Sequence, residues 1–220
     1  RINNVKSGSI TRDLGVETLG SATFDIEEPL GECYIRVYLI TIQNGAKDKY
    51  PLGTYLIQTP SSKFDGKNKI VSVDTPLLEL KENPPPIGYS VLKDTNIMET
   101  AYKITKEQVR APVVAAACTE TLFSDFVANT DDTWMTFLND LMANAKYTFA
   151  LDELGRILFS PKQDMASLQP VWTFDDSNSS ILYPEINMDY DLYGIPNVVE
   201  VIYSSDDRCY YSRVVNDDSN

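Results

Sequence analysis

The sequence predicts an α+β protein in which an antiparallel β region comes first, a mixed α/β unit of helices plus a β-hairpin follows, and further strands end the chain. Three observations support this prediction. Short alternating strands with Asn-Gly and Asp-Gly turns occupy the first third. An amphipathic helix followed directly by a hairpin lies in the middle. A stiff proline run at residues 83–86 separates the two regions. With 220 residues, the chain is long enough to bury a core without disulfides.

The first third reads as an antiparallel barrel or sandwich. Alternate residues from Ala22 to Ile26 are apolar and share one face of a strand. The segment Cys33–Ile42 is apolar on both faces, which predicts a strand buried centrally or covered on both sides. Further predicted strands and turns are Leu52–Thr59, Lys69–Thr75, Asn44-Gly45 and Asp65-Gly66.

The pattern changes from predicted strands to predicted helices at the proline run. No helix can cross this run, and it is the best linker candidate in the chain. Asn96 and Glu99 resemble a capping box that opens a helix up to about Val109. Residues 121–128 predict a short helix with its apolar side chains on one side. Three domains follow from these boundaries: residues 1–82, 83–170 and 171–220.

The clearest helix begins at Asp131 or Asp132, since either residue can cap it. Its apolar side chains recur at helical spacing, which is typical of a core-facing stripe. A strand at Tyr147–Leu151 and a return strand at Arg156–Ser160 follow. We expect the stripe to pack on this hairpin and to bury Phe137. The stripe consists of Trp134, Phe137, Leu138, Leu141, Met142 and Ala145.

The last fifty residues predict further strands and a polar end. Strands are expected at Val171–Phe174, Tyr183–Asp191 and Val198–Tyr203, with a polar loop at Asp175–Ser180 and a polar tail at 216–220. Six of the 13 tyrosines crowd this part of the chain. Ordinary strand composition explains them, and so does a protein- or sugar-contacting surface.

No chemistry is predicted from the sequence. There is no histidine, which excludes the histidine-dependent nucleophile schemes and His-containing zinc sites. No nucleotide-binding glycine motif occurs. The three cysteines Cys33, Cys118 and Cys209 stand far apart and predict free thiols, buried or half-buried. No apolar run reaches the roughly 20 residues needed to span a bilayer.

Carboxylates do not form a recognisable site either. No acidic pair is singled out for glycosidase chemistry. Asn187, Asp189 and Asp191 alternate like calcium ligands, but Leu192 and Val198 stand where an EF-hand loop needs Gly and Glu. The sequence therefore predicts no catalytic residue, no metal ligand, no cofactor and no enzymatic activity.

Charge is unevenly spread along the chain, whose net charge is −13. Residues 1–110 hold 14 acidic and 14 basic residues, whereas residues 111–220 hold 18 acidic and 5 basic ones. The acidic half repels nucleic-acid phosphates, which argues against adhesive DNA or RNA binding there. Solvation of an outer surface explains this charge, and so does a surface facing a polyanion that must not adhere.

Three segments resemble the phage tail hub proteins. Residues 7–27 (SGSITRDLGVETLGSATFDIE) look like the opening of those proteins, where two strands of a tube-type barrel flank a loop. Residues 133–161 (TWMTFLNDLMANAKYTFALDELGRILFSP) are similar to the helix and hairpin of their second domain. Residues 193–201 (YGIPNVVEV) look like the point where their chain re-enters a barrel.

The resemblance implies a structural protein of the tail tip, or baseplate hub, of a phage or phage-derived particle. It implies a homotrimeric ring that joins the tail tube to the tip and surrounds the channel through which DNA is ejected. Tail tube or distal tail proteins, the tape-measure protein and tip proteins would be its partners, and DNA would pass without specific binding. The hubs usually continue further, often into a lysozyme, peptidase or fibre region, and none is visible here.

Two other functions remain open at this stage. One is a carbohydrate- or receptor-binding β module of a viral tip or cell surface, and the other is a hydrolase with an acid pair. If the resemblance holds, the acidic half should line the channel or its mouth. The side chains expected there are Asp175, Asp176, Asp189, Asp191, Asp206 and Asp207.

Overall fold

The computed structural model describes residues 5–26, 31–62, 69–171, 196–205 and 208–215, and these form an α+β fold with mostly antiparallel sheets. The chain divides into two compact units, Arg1–Ser167 and Leu168–Asn220. In chain order the elements are β1 (Val5–Arg12), β2 (Gly20–Ile26), β3 (Tyr34–Gln43), β4 (Ala46–Ser62), β5 (Lys69–Asp74), α1 (Leu78–Glu82), β6 (Ser90–Val91), α2 (Ile97–Gln108), β7 (Phe126–Val127), α3 (Trp134–Ala143), β8 (Tyr147–Leu151), β9 (Ile157–Pro161), β10 (Val198–Ser205) and β11 (Arg208–Val215).

The first five strands form one antiparallel sheet in the order β1-β2-β5-β4-β3. The alternation from Ala22 to Ile26 is confirmed, because Ala22, Phe24 and Ile26 are all buried. They pack with Tyr55, Ile57, Val71 and Val73 into a small apolar cluster on one face of the sheet. The period of two in the sequence therefore identified the buried face correctly.

The segment Cys33–Ile42 is not buried centrally or covered on both sides, so that prediction is wrong. Strand β3 forms an edge of the sheet, and its residues are half-buried or exposed. Its apolar residues indicate burial, but composition alone does not say which strand takes an edge. Over the described residues, β1 and β3 are the two edges and the sheet stays open between them.

A larger core joins the three helices and the β8–β9 hairpin. Phe137 on α3 is fully buried, which confirms that the stripe faces the core. Its ring meets those of Tyr89, Phe126 and Trp134 at centroid distances of 5.4, 5.1 and 5.9 Å. Phe149, Ile157 and Phe159 of the hairpin belong to the same cluster, as expected from their position after the helix.

The helix α2 occupies the predicted range, with the Asn96 side chain accepting a hydrogen bond from the Glu99 N–H. The helix α3 does not begin at Asp131 or Asp132. Thr133 caps it, and the Thr133 and Thr136 hydroxyls each accept from the other residue's N–H. Asp132 instead accepts a hydrogen bond from the Asn129 N–H, so its carboxylate closes the turn before the helix.

The short helix predicted at residues 121–128 is also wrong. Leu122 exchanges backbone hydrogen bonds with Asp94 and Thr95, and Phe126–Val127 pairs with β6. The Asp125 carboxylate accepts from the Lys93 N–H. These bonds give the backbone partners outside the segment, and they replace the helical ones.

The second unit contains a two-stranded antiparallel ribbon, β10–β11. Strand β10 confirms the prediction at Val198–Tyr203, while β11 was not anticipated. Several predicted segments lie outside the described residues: the strand Tyr183–Asp191, the strand Val171–Phe174 except Val171 itself, the polar loop Asp175–Ser180 and the polar tail at 216–220. No helix among the described residues is long and apolar enough to cross a membrane.

Candidate assembly interface

Part of the β3–β4 hairpin extends beyond the sheet. Strand β4 has 17 residues, yet it pairs with β5 only from Leu56 onward. Residues 38–51 of the hairpin have ladder partners only in each other, within the described chain. We call residues 38–51 the arm. A two-stranded ribbon gains little stability by itself in water, so an arm of this length is typical of a contact element.

The arm carries apolar side chains on both faces. One face holds Tyr38, Ile40 and Ile42 with the paired Lys47 and Lys49, and we call it the lysine face. The Lys49 ammonium lies 3.8 Å from the centroid of the Tyr38 ring, which is a cation–π contact. The opposite face pairs Leu39 with Tyr50. The exposed fractions of Leu39, Ile40, Ile42 and Tyr50 are 50, 43, 71 and 52%.

The arm leaves the sheet at a β-bulge. Val37 pairs with Gly53 and Tyr38 with Pro51, so Leu52 is the extra residue. The Arg12 guanidinium donates to the Leu52 carbonyl at 2.7 Å, which fixes the bulged residue to β1. Next to it, the Thr54 hydroxyl donates to the Leu154 carbonyl at 2.7 Å, which ties β4 to the β8–β9 turn.

The other strand of the arm is anchored by the Glu79 cluster, which consists of Glu79, Tyr34, Arg110 and Glu32. The Tyr34 hydroxyl donates to Glu79 Oε2 at 2.5 Å. The Arg110 Nε and backbone N–H donate to Glu79 at 2.5 and 2.9 Å, and Arg110 Nη2 donates to Glu32 at 2.7 Å. The cluster thus joins β3, α1 and the segment after α2.

These contacts shift the pKa values of Tyr34 and Glu79. Burial raises the pKa of the Tyr34 phenol, and the hydrogen bond to Glu79 raises it further. Burial by itself would raise the pKa of Glu79, but the hydrogen bonds from Tyr34 and Arg110 outweigh it and hold that pKa below its ordinary value. Glu79 is therefore an anion at neutral pH, and its role here is structural.

We expect Glu79→Gln to destabilise the protein at neutral pH by about 1–3 kcal/mol, the worth of hydrogen bonds to a charged group. The folded-state pKa of Glu79 is lowered, so its contribution is complete above the ordinary carboxyl pKa of about 4.3 and is lost as the pH falls through the folded-state value. Urea unfolding across this pH range should show the wild type and Glu79→Gln converging in acid.

Glu17→Gln is the matched control, because Glu17 and Lys81 form an exposed ion pair at 3.5 Å. Such pairs contribute about 0–1 kcal/mol, so this variant should follow the wild type at every pH. Equal behaviour of Glu79→Gln and Glu17→Gln would show that the Glu79 cluster does not anchor the arm.

A cleft of about 220 Å³ lies beside the arm's base, between β1, β4 and the β8–β9 turn. Asp152 on its wall accepts hydrogen bonds from the backbone N–H groups of Leu154 and Arg156. It also forms an ion pair with the Arg156 side chain. Burial would raise the pKa of Asp152, but the bonds from Arg156 outweigh it and lower it. This carboxylate therefore stabilises the β8–β9 turn.

The described residues hold no cluster of three or more His, Cys, Asp or Glu side chains able to bind a metal ion. The Asn187–Asp191 alternation lies outside them, and so do all six aspartates expected at the channel. Cys33 and Cys118 are half-buried free thiols as predicted, whereas Cys209 is exposed, because no described residue covers either face of β11.

The β10–β11 ribbon is a second apolar surface. One face carries Glu200, which accepts from the Tyr211 hydroxyl at 2.9 Å and pairs with Arg213 at 3.4 Å. The other face carries Val199, Val201 and Val214 with Arg208 at its end, and the ring centroids of Tyr203 and Tyr210 lie 6.2 Å apart on it. Tyr183, Tyr190 and Tyr193 lie outside the described residues.

Comparison with known proteins gives similarity in structure but not in sequence. No family model matches the chain, and no curated protein is similar to it in sequence. The tail protein from Neisseria meningitidis MC58 is similar over 89% of this chain and 59% of its own, with a TM-score of 0.59 and 16% identity. The prophage tail protein gp18 from Listeria monocytogenes EGD-e is similar over 90% and 58%, with a TM-score of 0.51 and 8% identity.

The chain shares the fold of these tail proteins. The 43 kDa tail protein of prophage MuSo2 from Shewanella oneidensis is also similar, over 73% of this chain and 51% of its own, with a TM-score of 0.49 and 13% identity. The chain spans between half and three fifths of the length of each of the three structures.

The sequence identified no site residue, and it did not single out the arm. The Asn44-Gly45 turn was a clear hairpin signal and is confirmed, with positive φ at both residues. The alternation of Ile40, Ile42, Lys47 and Lys49 around that turn is also visible in the sequence. What the sequence does not show is that β4 continues past β5, since pairing partners are set by the rest of the sheet.

Proposed function

We propose that this chain is a structural protein of a phage or prophage-derived tail, and within the tail a hub or tip protein. The observation that carries the proposal is the fold shared with the Neisseria meningitidis tail protein over 89% of the chain, at a TM-score of 0.59. Because identity is only 16%, the hub position rests on the sequence resemblance in residues 7–27 and 133–161.

Exposed strand surfaces support an assembly role. The arm and the β10–β11 ribbon both present large apolar side chains to solvent. Contiguous exposed apolar surface of this kind marks protein–protein contacts in soluble chains. Both surfaces are built on paired strands, which present their side chains at fixed spacing to a partner.

The proposed assembly is a homotrimeric ring between the tail tube and the tip, with tube, tape-measure and tip proteins as partners. The sheet has five strands, each antiparallel to its neighbour, so its edges β1 and β3 run in the same direction. In a tube-type barrel these edges would be joined, within one copy or through the next copy around the axis. Residues 1–82, 83–170 and 171–220 would be the barrel, the helix-and-hairpin domain and the returning strands.

The acidic half of the chain would face the channel or its mouth. A wall of carboxylates repels phosphates over about 8 Å at physiological salt, which keeps a passing polyanion from adhering. DNA would then move through without specific binding, and the protein would have no catalytic activity. The purified chain should accordingly leave peptidoglycan intact.

The mass in solution tests this proposal. Sedimentation over a wide range of concentration should show a trimer that dissociates on dilution, and electron microscopy of the associated fraction should show rings. A chain that stays monomeric at all concentrations and binds glycans would contradict the ring. That result would favour the carbohydrate- or receptor-binding module, for which the neighbouring Tyr203 and Tyr210 rings supply the aromatic surface.

A further inference from the structure

The arm has a charge pattern that distinguishes its two faces. Lys47 and Lys49 lie on the same face as Ile40 and Ile42, while Asp48, which pairs with Thr41, points to the opposite face. Among the residues that the structure describes, no carboxylate forms an ion pair with either lysine. The lysine face is therefore a basic surface with an exposed apolar centre.

The arm is also anchored at both strands. The Arg12–Leu52 and Thr54–Leu154 hydrogen bonds hold β4 at its base, and the Glu79 cluster holds the start of β3. An element fixed in this way loses little conformational entropy when a partner binds. The exposed ends of Ile40 and Ile42 are thus presented in a preformed geometry.

Charge indicates the partner. The lysine face is basic, while the described residues 111–171 carry eight acidic and three basic residues. Several exposed carboxylates in this segment have no hydrogen bond or ion pair among the described residues, and these are Glu120, Asp131, Asp140 and Glu153. A second copy of the same chain therefore supplies the opposite charge, and complementary charge favours correct encounters.

We propose that the lysine face of the arm docks on the exposed carboxylates of residues 111–171 of a second copy of this chain. The inference rests on the proposed ring assembly and names the surface through which neighbouring copies recognise each other. Ile40 and Ile42 supply the apolar centre of the contact, and Lys47 and Lys49 supply its charged rim. Two lysines are too few to hold a duplex, whose phosphate affinity grows with the number of cations engaged.

The test compares self-association of four proteins by sedimentation. Lys47→Glu/Lys49→Glu inverts the charge of the lysine face, and Ile40→Thr/Ile42→Thr removes its apolar centre while keeping β-branched residues in the strand. Lys103→Glu/Lys106→Glu on α2 is the control with the same charge change on exposed residues. Circular dichroism and thermal unfolding confirm that each variant folds like the wild type.

We expect both arm variants to weaken association at least tenfold, and the control variant to associate like the wild type. Wild-type association should also weaken as salt rises from about 0.1 M to 1 M, where the Debye length falls from about 10 to 3 Å. If both arm variants form trimers as readily as the wild type, the arm contact is overturned and the proposed function stays intact.

Two other results would overturn the proposal differently. If the wild type never associates, both the ring and the arm contact fail. If labelled duplex DNA binds the wild type but not Lys47→Glu/Lys49→Glu, while self-association is equal in both, the lysine face serves a polyanion instead of a second copy.

Discussion

Replacing Phe137 with alanine should lower the free energy of unfolding by about 3–5 kcal/mol, the usual cost of removing a fully buried aromatic ring. The ring is 0% exposed and lies among Tyr89, Phe126 and Trp134. Its removal leaves a cavity between α3 and the strands that flank it, and these backbones cannot close in fully. Urea unfolding followed by far-UV circular dichroism measures the loss.

Phe123→Ala is the matched control, because the same atoms are removed from a ring that is 77% exposed. Lys93 lies over this ring at 6.0 Å, and an exposed cation–π contact contributes about 0.5–1 kcal/mol. We therefore expect Phe123→Ala to cost about 1 kcal/mol or less. A similar cost for the two variants would mean that Phe137 does not hold the core together.

The burial of α3 was predictable because side chains at helical spacing must face a common side. The same holds for Ala22, Phe24 and Ile26, where a period of two selects one face of a strand. In both elements the period is encoded by neighbouring residues. Local sequence therefore suffices for the buried face, and the structure confirms both.

The position of a strand within its sheet is not encoded locally. Strand β3 has the composition of a central strand, yet it lies at an edge and its distal half belongs to the arm. The start of α3 is not encoded locally either, because three neighbouring residues, Asp131, Asp132 and Thr133, can all cap a helix. The choice depends on Asn129, whose N–H engages Asp132 and leaves Thr133 to cap.

The contacts that anchor the arm could not be predicted from spacing either. Tyr34 and Glu79 are 45 positions apart, and Thr54 and Leu154 are 100 apart. Each pair joins residues of different elements, which meet only in the folded chain. The absence of histidine and nucleotide motifs was informative about chemistry, but only the folded chain shows which polar residues serve as anchors.

Gly155→Ala should produce the second largest loss, about 2–4 kcal/mol from backbone strain plus overpacking. Gly155 ends the β8–β9 turn with φ at +78°, a region that costs L-residues energy. An added Cβ would also collide with the Thr54 side chain and would lie 3.2 Å from the Thr54 Cα. The collision would strain the Thr54–Leu154 hydrogen bond at the base of the arm.

Gly88→Ala separates these two effects, because Gly88 has the same φ of +78° but nothing within 4 Å of the added Cβ. Gly88→Ala should cost only the conformational part, about 1–2 kcal/mol. The excess in Gly155→Ala then measures the contact with Thr54, and Thr54→Gly in the Gly155→Ala background should recover part of it. If the two glycine variants unfold at the same urea concentration, the β8–β9 turn does not pack closely against β4 at Thr54. The base of the arm would then be held by Arg12 and the Glu79 cluster alone.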